Sequence, residues 1–255
     1  MKKHLLIAAV AFASVAPSQV FAWGKTGHEI VAEIAMKLLD NSTRKKVEHY
    51  LGGYSPEAAS VWMDDVRKDH SFDYMKPWHY INAEKGATYT PTKEDNAVNI
   101  LNKTIAQLRD HSQSDDQEIQ RQLLILFHLT GDLHMPLHAG YGSDKGGNSV
   151  QVTYLDHKGN LHWVWDNEII ETEHIDLAQC MELYKSWTRD EIKQYSQVNV
   201  EQWMQQSRDL LPVVYDFKDN TIDKAYADKN APIIRKQLTI AGLRLAEVLK
   251  ETFGP

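Results

Sequence analysis

The strongest constraint on the fold is a segment in which ionisable residues interrupt an apolar helical pattern. Apolar residues recur at helical spacing over Glu118–His134, and Pro136 ends or kinks the run. His128 and Asp132 are four residues apart and therefore share one face of the predicted helix, while His138 follows the proline. Ionisable groups among apolar neighbours are costly unless they find partners, and metal coordination is one way to satisfy them. The pattern therefore predicts a helix that carries a buried polar or metal-binding site.

A second pair with the same spacing strengthens this interpretation. His162 and Asp166 are also four residues apart, and His138 stands between the two pairs. One such pair is weak evidence, because helix surfaces carry His-x-x-x-Asp by chance. Two pairs with a further histidine between them favour a metal site, and imidazoles with carboxylates are the ligands of catalytic zinc.

The remaining pattern is mainly helical, with one small β-hairpin. Val150, Val152 and Tyr154 alternate along a predicted strand over Ser149–Leu155. A turn is predicted over Asp156–Asn160 and the second strand over Leu161–Trp165, which places His162 on the far strand. Helices are predicted at Ile30–Leu39, Thr43–Leu51, from Ser55 onward, and at Asp95–Arg109, Ser186–Tyr195, Val200–Tyr215 and Ala231–Phe253, with a polar loop over Glu84–Glu94.

The N-terminal segment is typical of a signal peptide. Lys2 and Lys3 precede the apolar run Leu5–Val15, and Val20-Phe21-Ala22 fits a cleavage site. We expect residues 1–22 to be removed and residues 23–255 to form one domain in the periplasm or outside the cell. The alternative is that the run forms the first helix of the fold.

Cleavage after Ala22 would create an additional metal-binding group. Trp23 would then carry a free α-amine, which with its carbonyl oxygen can chelate a cation. The pKa of an α-amine is near 8, so loss of its proton to a metal is inexpensive. His28 follows five residues later and could join it.

Cysteine content and charge limit the alternatives. The only cysteine, Cys180, excludes an intramolecular disulfide, so the stability of an exported chain must come from its core or from metal. The formal net charge of −7 is unlike that of proteins that bind nucleic acid through a broad basic face. No later apolar run is long enough to span a membrane, and we expect a monomer without stable membrane association.

Six segments together resemble the S1/P1 nuclease family, in the order of that family. They are Trp23-Gly24-x-x-Gly27-His28, Trp62-Met63-Asp64-Asp65-Val66-Arg67, Trp78-His79-Tyr80-Ile81-Asn82, His128-x-x-x-Asp132-x-x-x-Pro136-Leu137-His138, Gly146-Gly147-Asn148 and Asn160-Leu161-His162-x-x-x-Asp166. The segment Leu238–Ala246 is similar to the last helix of the family. The resemblance therefore covers essentially the whole predicted mature chain, and implies a single-domain helical fold of the phospholipase C/P1 nuclease type.

The resemblance also implies three zinc ions and the residues that hold them. Asp64, His79, His128 and Asp132 would hold one zinc; His138, His162 and Asp166 a second; and the amine and carbonyl of Trp23, with His28 and a shared Asp132, the third. Asp64, Arg67, Asp132 and Asn148 fall at catalytic positions, with Arg67 near the phosphate. Tyr80 and Asn82 fall where a nucleobase is stacked and hydrogen-bonded, and Asn148 also contacts substrate. His134 is not among the family's ligands, and its sequence context fits either a position that supports the ligands or the rim of the site, or simple packing.

Two departures from familiar members are visible. Fungal and plant members carry disulfides and glycans, whereas a single cysteine resembles the bacterial members. Asn82 stands where familiar fungal enzymes have aspartate, and because an amide both donates and accepts, base preference is not carried over.

The implied function is a secreted zinc-dependent endonuclease. It would cleave single-stranded DNA and RNA to products with 5′-phosphates, and 3′-nucleotidase activity on nucleotides is a further expectation. The alternatives are a zinc-dependent phospholipase C and a non-catalytic exported zinc-binding protein. Arg67, Asn148 and Tyr80 argue against mere storage, which has no need of them.

Overall fold

The computed structural model describes residues 23–87 and 89–255, so the predicted signal peptide lies outside the described residues. The α-helices are α1 Lys25–Leu38, α2 Asn41–Tyr50, α3 Pro56–Asp65, α4 Ala97–Arg109, α5 Asp116–Asp132, α6 Leu161–Trp163, α7 Ile169–Thr172, α8 Leu177–Ser186, α9 Arg189–Tyr195, α10 Val200–Arg208, α11 Leu211–Val214 and α12 Lys224–Phe253. Short 3-10 segments at Val66–Lys68, His70–His79, His111–Gln113, Pro136–Ala139 and Gly142–Asp144, and a π-helical turn at Val164–Glu168, connect them. The predicted mainly helical class is confirmed.

Helix α5 forms the centre of the helical core. Its start is fixed by Asp115, whose side chain accepts a hydrogen bond from the backbone nitrogen of Glu118 at 2.8 Å, as expected of an N-cap. Every residue from Leu123 to Asp132 is buried, because α5 packs against α1, α3, α4 and α12. A helix that is surrounded in this way buries polar residues together with apolar ones, and His128 and Asp132 are therefore enclosed.

The first and last helices hold the core together by a close contact. A Cβ atom at Gly242 of α12 would lie 2.5 Å from the Cβ of Ile34 in α1. Only glycine allows this approach, and α12 in turn packs along α1 more extensively than along any other described element. The contact fixes α1 and with it the direction of His28.

The β-structure differs in part from the sequence prediction. Strands β1 Gln151–Tyr154 and β2 His157–Asn160 form the antiparallel hairpin, and β3 Thr221–Ile222 adds to β1 in parallel, giving the order β2-β1-β3. The turn consists only of Leu155 and Asp156, with Leu155 at φ 50°. The predicted strand over Leu161–Trp165 is therefore wrong.

Helix capping explains that error. The side-chain oxygen of Asn160 accepts a hydrogen bond from the backbone nitrogen of Trp163 at 2.8 Å and starts α6 directly after β2. The alternating aromatic residues Trp163 and Trp165 follow the period-two pattern of a strand, but they belong to continuous helical turns. His162 and Asp166 consequently share one helical face, just as His128 and Asp132 do.

Three predicted helices also differ from the structure, and one of them, Val200–Tyr215, is divided into α10 and α11. The predicted helix Ser186–Tyr195 begins only at Arg189, because Thr188 forms a capping box that starts α9, whereas Ser186 is the last residue of α8. Helix α12 begins at Lys224 rather than at Ala231, and it continues through Pro232. Within the described part of the chain, none of the helices combines the length and the apolar character needed to cross a membrane.

Candidate metal centre

Histidine and aspartate side chains from separate elements meet at one buried place. Each of them has at most 7% of its surface exposed. They are His28 of α1, Asp64 of α3, His79 at the end of a 3-10 segment, His128 and Asp132 of α5, His138 after Pro136, His162 of α6 and Asp166 of the π-helical turn. The fold thus brings together every histidine and aspartate that the sequence predicted as a ligand.

Asp132 is the common neighbour in this cluster. Its Oδ2 lies 3.1 Å from Nδ1 of His79 and 3.4 Å from Nε2 of His128. Its Oδ1 lies 3.3 Å from Nε2 of His28. Asp64 stands further out, with Oδ1 at 4.0 Å from both His79 and His128. One fully buried carboxylate therefore faces three imidazoles, an arrangement suited to a ligand shared between cations.

A second group lies beside the first. Nε2 of His162 is 3.1 Å from Oδ2 of Asp166 and 3.2 Å from Nε2 of His138. The backbone nitrogen of Gly24 donates to the carbonyl of Asp166 at 2.8 Å, which fixes the segment after Trp23 against this group. Trp23 itself is fully buried. Chelation by its amine requires cleavage after Ala22, which lies outside the described residues.

Backbone carbonyls fix the orientation of three of the rings. Nδ1 of His128 contacts the carbonyl of Ser60 at 2.7 Å, Nδ1 of His138 that of His79 at 2.5 Å, and Nδ1 of His162 that of Gly146 at 2.6 Å. A carbonyl can only accept, so each Nδ1 carries the proton and donates it. Each Nε2 is then left with a lone pair, and in His128 and His162 this atom faces the carboxylates. Metal-binding histidines are held in this way.

Several atoms of the cluster make no hydrogen bond to the described residues, and this is the observation that fits a metal. Both ring nitrogens of His28, Nε2 of His79, and Oδ1 of Asp132 and of Asp166 are buried without a hydrogen bond to the described residues. Buried polar atoms are normally hydrogen-bonded, so each exception needs an explanation. Cations would satisfy all of them, and this donor set suits zinc.

Ligand atoms also group at coordination distances. Three sets have all their ligand atoms within 4.8 Å of one another: His28 with Asp64 and His128; His79 with His128 and Asp132; and His138 with His162 and Asp166. The sequence-based grouping placed His28 with Asp132 instead. The 3.3 Å contact between those two side chains is compatible with it. The protein therefore contains three groups of side chains able to bind metal.

Burial shifts the pKa of several groups in the cluster, whereas for His162 burial is outweighed by nearby groups, Asp166 foremost, and the pKa is raised. Burial, followed by the nearby His128, holds the pKa of His28 well below its usual value, and burial lowers the pKa of His79 to about 4. Burial also raises the pKa of Asp132, and it raises that of Asp166 to about 6. Neutral imidazoles are ready to bind a cation, and carboxylates in such surroundings gain most from one.

A cleft of about 420 Å³ opens onto the cluster. It is lined by Arg67, Lys76, His79, Tyr80, Asn82, Leu137, His138, Lys145, Asn148 and His162. The residues predicted to contact substrate therefore share one cleft with three of the predicted ligands. The former are Arg67, Tyr80, Asn82 and Asn148, and the latter are His79, His138 and His162. Nη1 of Arg67 lies 3.2 Å from Oδ1 of Asp64, Tyr80 is 44% exposed, and the side-chain oxygens of Asn82 and Asn148 are buried without a described partner.

Arg208 is a residue of the site that sequence reasoning missed. Its buried guanidinium donates to the carbonyls of Ala139 at 2.7 Å, Gly140 at 2.9 Å and Glu84 at 3.3 Å. It therefore joins the loop after His138 to the loop that carries Tyr80 and Asn82. The same two loops are bonded directly, since the nitrogen of Ile81 donates to the carbonyl of His138 at 2.7 Å. No local sequence signal indicates such a role, because the partners are backbone atoms far away in the chain.

Gly131 was also missed, although a signal was present. A Cβ atom there would lie 2.7 Å from Nδ1 of His28. The glycine lets the His28 ring pack against α5, where it stacks on His128 with centroids 4.2 Å apart. A glycine inside the strongest helical pattern is the kind of exception that points to a close approach.

His134 lies outside the cleft. Its Nδ1 donates to the carbonyl of Thr130 at 2.7 Å, and its Nε2 accepts from Nη1 of Arg244 at 2.7 Å. Of the two possibilities that the sequence left open, the structure supports packing.

Comparison with known proteins agrees with this geometry. The chain is 28% identical to Endonuclease 2 of Arabidopsis thaliana, with 94% of this chain and 93% of that protein covered. It is 24% identical to Nuclease S1 of Aspergillus oryzae, covering 93% and 94%, and 26% identical to Nuclease P1 of Penicillium citrinum, covering 56% and 57%. The family model for S1/P1 Nuclease matches residues 23–254. The chain therefore belongs to the S1/P1 nuclease family.

Proposed function

We propose that this nuclease is an exported zinc-dependent endonuclease that hydrolyses phosphodiester bonds in single-stranded DNA and RNA. The products carry 5′-phosphates, and 3′-nucleotides are further substrates. The observation that carries the proposal is the set of buried, unpartnered ligand atoms at the floor of a cleft that also contains Arg67 and Asn148. Family membership supplies the reaction class.

The catalytic domain is residues 23–255, released when residues 1–22 are removed as a signal peptide. The buried position of Trp23 and the Gly24–Asp166 hydrogen bond support a role for the new N-terminus in the centre. We infer that the protein acts as a monomer in the periplasm or outside the cell, without stable membrane association.

Three zinc ions fit the residues present. Asp64, His79, His128 and Asp132 would hold one; His138, His162 and Asp166 another; and Trp23 with His28 and Asp132 the third. When bound, zinc supplies a water nucleophile active near neutral pH and positive charge that offsets the charge of the phosphate.

The side chains around the phosphate have separate tasks. Arg67 stands beside Asp64 at the edge of the cluster, so its planar guanidinium can bind the non-bridging phosphate oxygens and offset their growing charge. Asn148 is fixed by a 2.9 Å bond from its amide nitrogen to the carbonyl of Lys145, and its side-chain oxygen has no described partner. It is therefore held ready to orient the substrate.

Preference for single strands follows from the exposed Tyr80. A base must leave its stack to lie against this ring, and a base in a duplex cannot do so without cost. Asn82 lies in the same cleft with a free side-chain oxygen, which can accept a hydrogen bond from the edge of that base.

The test combines metal analysis with hydrolysis by the processed protein. We expect about three zinc ions per chain, release of acid-soluble nucleotides from single-stranded DNA and RNA, loss of activity in EDTA and recovery with zinc. Asp132→Asn should be inactive, which excludes a contaminating nuclease, whereas the exposed His49→Gln should behave as wild type. Release of phosphocholine from lecithin without nucleic-acid cleavage would identify a phospholipase instead. Fully metallated protein that hydrolyses neither substrate would indicate a zinc-binding protein.

A further inference from the structure

Lys145 lines the cleft in an unusual backbone conformation. It ends the 3-10 segment Gly142–Asp144 at φ 57° and ψ 45°, in the left-handed region. Gly146 and Gly147 continue with positive φ. Glycine occupies this region without strain, whereas a lysine does not. Strained residues cluster at functional sites, so the conformation of Lys145 points to a function for its side chain.

The backbone of Lys145 is fixed to residues of the site. Its carbonyl accepts from the amide nitrogen of Asn148 at 2.9 Å. The neighbouring Gly146 carbonyl accepts from Nδ1 of His162 at 2.6 Å. A Cβ atom at Gly146 would lie 3.4 Å from the side-chain oxygen of Asn82, so Lys145 begins on the side of the cleft that carries Asn82.

The nearest acidic residue in sequence is already engaged. Oδ1 of Asp144 accepts from the nitrogen of Gly147 at 2.9 Å, and Oδ2 accepts from the hydroxyl of Tyr215 at 2.7 Å. This bonding shapes the turn, and among the described contacts neither oxygen of this carboxylate is paired with Nζ of Lys145.

Lys145 differs in this respect from the other cations of the cleft. Arg67 pairs with Asp64 at 3.2 Å, and Nζ of Lys76 pairs with Asp73 at 2.8 Å. No ion pair or hydrogen bond joins Nζ of Lys145 to any residue within 23–87 and 89–255. In a chain with a net charge of −7, the cleft therefore contains one lysine whose charge the described protein does not balance.

We propose that Lys145 binds the phosphate next to the scissile one, and thereby favours polynucleotides over substrates with a single phosphate. The inference rests on the proposed nuclease function. Arg67 stands beside Asp64 and would serve the scissile phosphate, whereas Lys145 lines the same cleft in the turn next to Asn82. A strand whose base lay at Tyr80 and Asn82 would bring the phosphate of its adjoining nucleotide to this edge of the cleft. Lysine suits the task, because phosphate contacts position a strand without reading its sequence.

The experiment compares two substrates that differ in whether further nucleotides, and with them further phosphates, flank the scissile bond. Thymidylyl-thymidine has one phosphodiester, and an eight-residue thymidine oligonucleotide supplies neighbours. The variants are Lys145→Gln and Lys145→Arg, with Lys158→Gln on β2 as an exposed control outside the cleft. Equal zinc content and equal thermal unfolding establish that each variant is folded.

For Lys145→Gln, KM for the oligonucleotide should rise about tenfold at low salt, with kcat nearly unchanged. The slope of log KM against log salt should fall by about 0.7, as for one lost contact to a single strand. The dinucleotide should be cleaved as by wild type, Lys145→Arg should retain the preference, and Lys158→Gln should match wild type.

Three results would overturn the inference while wild type remains active. An equal loss on both substrates would mean a structural role, and no loss on either would mean no contact. A loss that differs between thymidine and adenine oligonucleotides and extends to the dinucleotides would mean a base contact. If wild type cleaves neither substrate, the proposed function fails, and this inference with it.

Discussion

His28 and His134 occupy two polar regions of one core, and the difference between them shows what sets the candidate metal centre apart from ordinary buried polar packing. Both are fully buried, and burial lowers the pKa of both well below the usual value. Both ring nitrogens of His134 have protein partners, Thr130 and Arg244. Neither ring nitrogen of His28 has a hydrogen bond to the described residues, although its Nε2 lies 3.3 Å from Oδ1 of Asp132. Burial and pKa therefore do not distinguish a ligand from a packed histidine, whereas unsatisfied atoms do.

Removal of metal should produce the largest effect, because it acts directly on the His28 region and through it on the stability of the whole protein. EDTA is expected to abolish hydrolysis and to lower Tm by at least about 10 °C, because several kcal/mol of binding energy is lost and each kcal/mol corresponds to about 2–4 °C. Differential scanning fluorimetry before and after chelation, with zinc added back, measures this. If Tm were unchanged in protein shown to be free of metal, the unsatisfied atoms around His28 would not indicate a metal site, and the contrast with His134 would fail.

Asp132→Asn should have opposite effects in the presence and absence of metal. Metal binding and activity should be lost, but the metal-free fold should gain about 1–3 kcal/mol at pH 7, because a buried, unsatisfied charge is replaced by a neutral amide. Burial raises the pKa of Asp132, so the folded state keeps its proton to higher pH than the unfolded state. The loss of stability caused by burying this carboxylate is absent below the ordinary pKa of aspartate. It grows as pH rises through that value.

The stability gain of Asp132→Asn should therefore be larger at pH 7 than at pH 4. Urea unfolding in EDTA at the two pH values measures it. If the variant were less stable than wild type at both pH values, the buried carboxylate would not destabilise the metal-free protein.

His134→Leu should destabilise the protein while sparing the metal centre. The free energy of unfolding is expected to fall by about 2–4 kcal/mol, because Arg244 would lose a partner in a buried place. Zinc content and kcat should remain those of wild type. The double variant His134→Leu with Arg244→Met should recover part of the loss. A fall in zinc content with His134→Leu would mean that the two regions are coupled.

Gly131→Ala should give the smallest effect, and this effect should arise from displacement of the His28 ring. The added methyl would crowd Nδ1 and Cε1 of the ring, at 2.7 and 2.8 Å. We expect about a tenfold fall in kcat/KM and weaker retention of one metal during dialysis, although alanine favours the helix by about 1 kcal/mol. Elemental analysis and kinetics on the same sample test this. Full activity and full metal content would show that His28 can move without consequence.

Local spacing in the sequence was enough to predict one half of the centre. His128 and Asp132 share a helix face as their separation requires, since α5 is long and strongly periodic. The pair His162 and Asp166 was recognised by spacing, but it was assigned to a hairpin. The cap at Asn160 starts a helix within a single residue, and a period-two aromatic pattern cannot reveal that.

Long-range contacts account for what the sequence could not show. His28 meets Asp132 only because α1 is held by α12 through Gly242, and the predicted set that joined them came from family resemblance. Arg208 acts on backbone carbonyls, which carry no sequence identity. Lys145 can be recognised as a candidate phosphate-binding residue only when its positive φ and the hydrogen bonds of Asp144 are known. Each depends on tertiary geometry rather than on periodicity.

The bonding between the loop of Ile81 and the loop of His138 has a consequence for engineering. The Ile81–His138 hydrogen bond and the Arg208 guanidinium make the two loops one mechanical unit. Substitutions that shift the backbone of the Ile81 loop, which carries Tyr80 and Asn82, are therefore expected to displace the loop of His138 as well. Their effects should combine non-additively with changes around the metals, because residues within one bonded network do not vary independently. Specificity and turnover in this enzyme must be redesigned together.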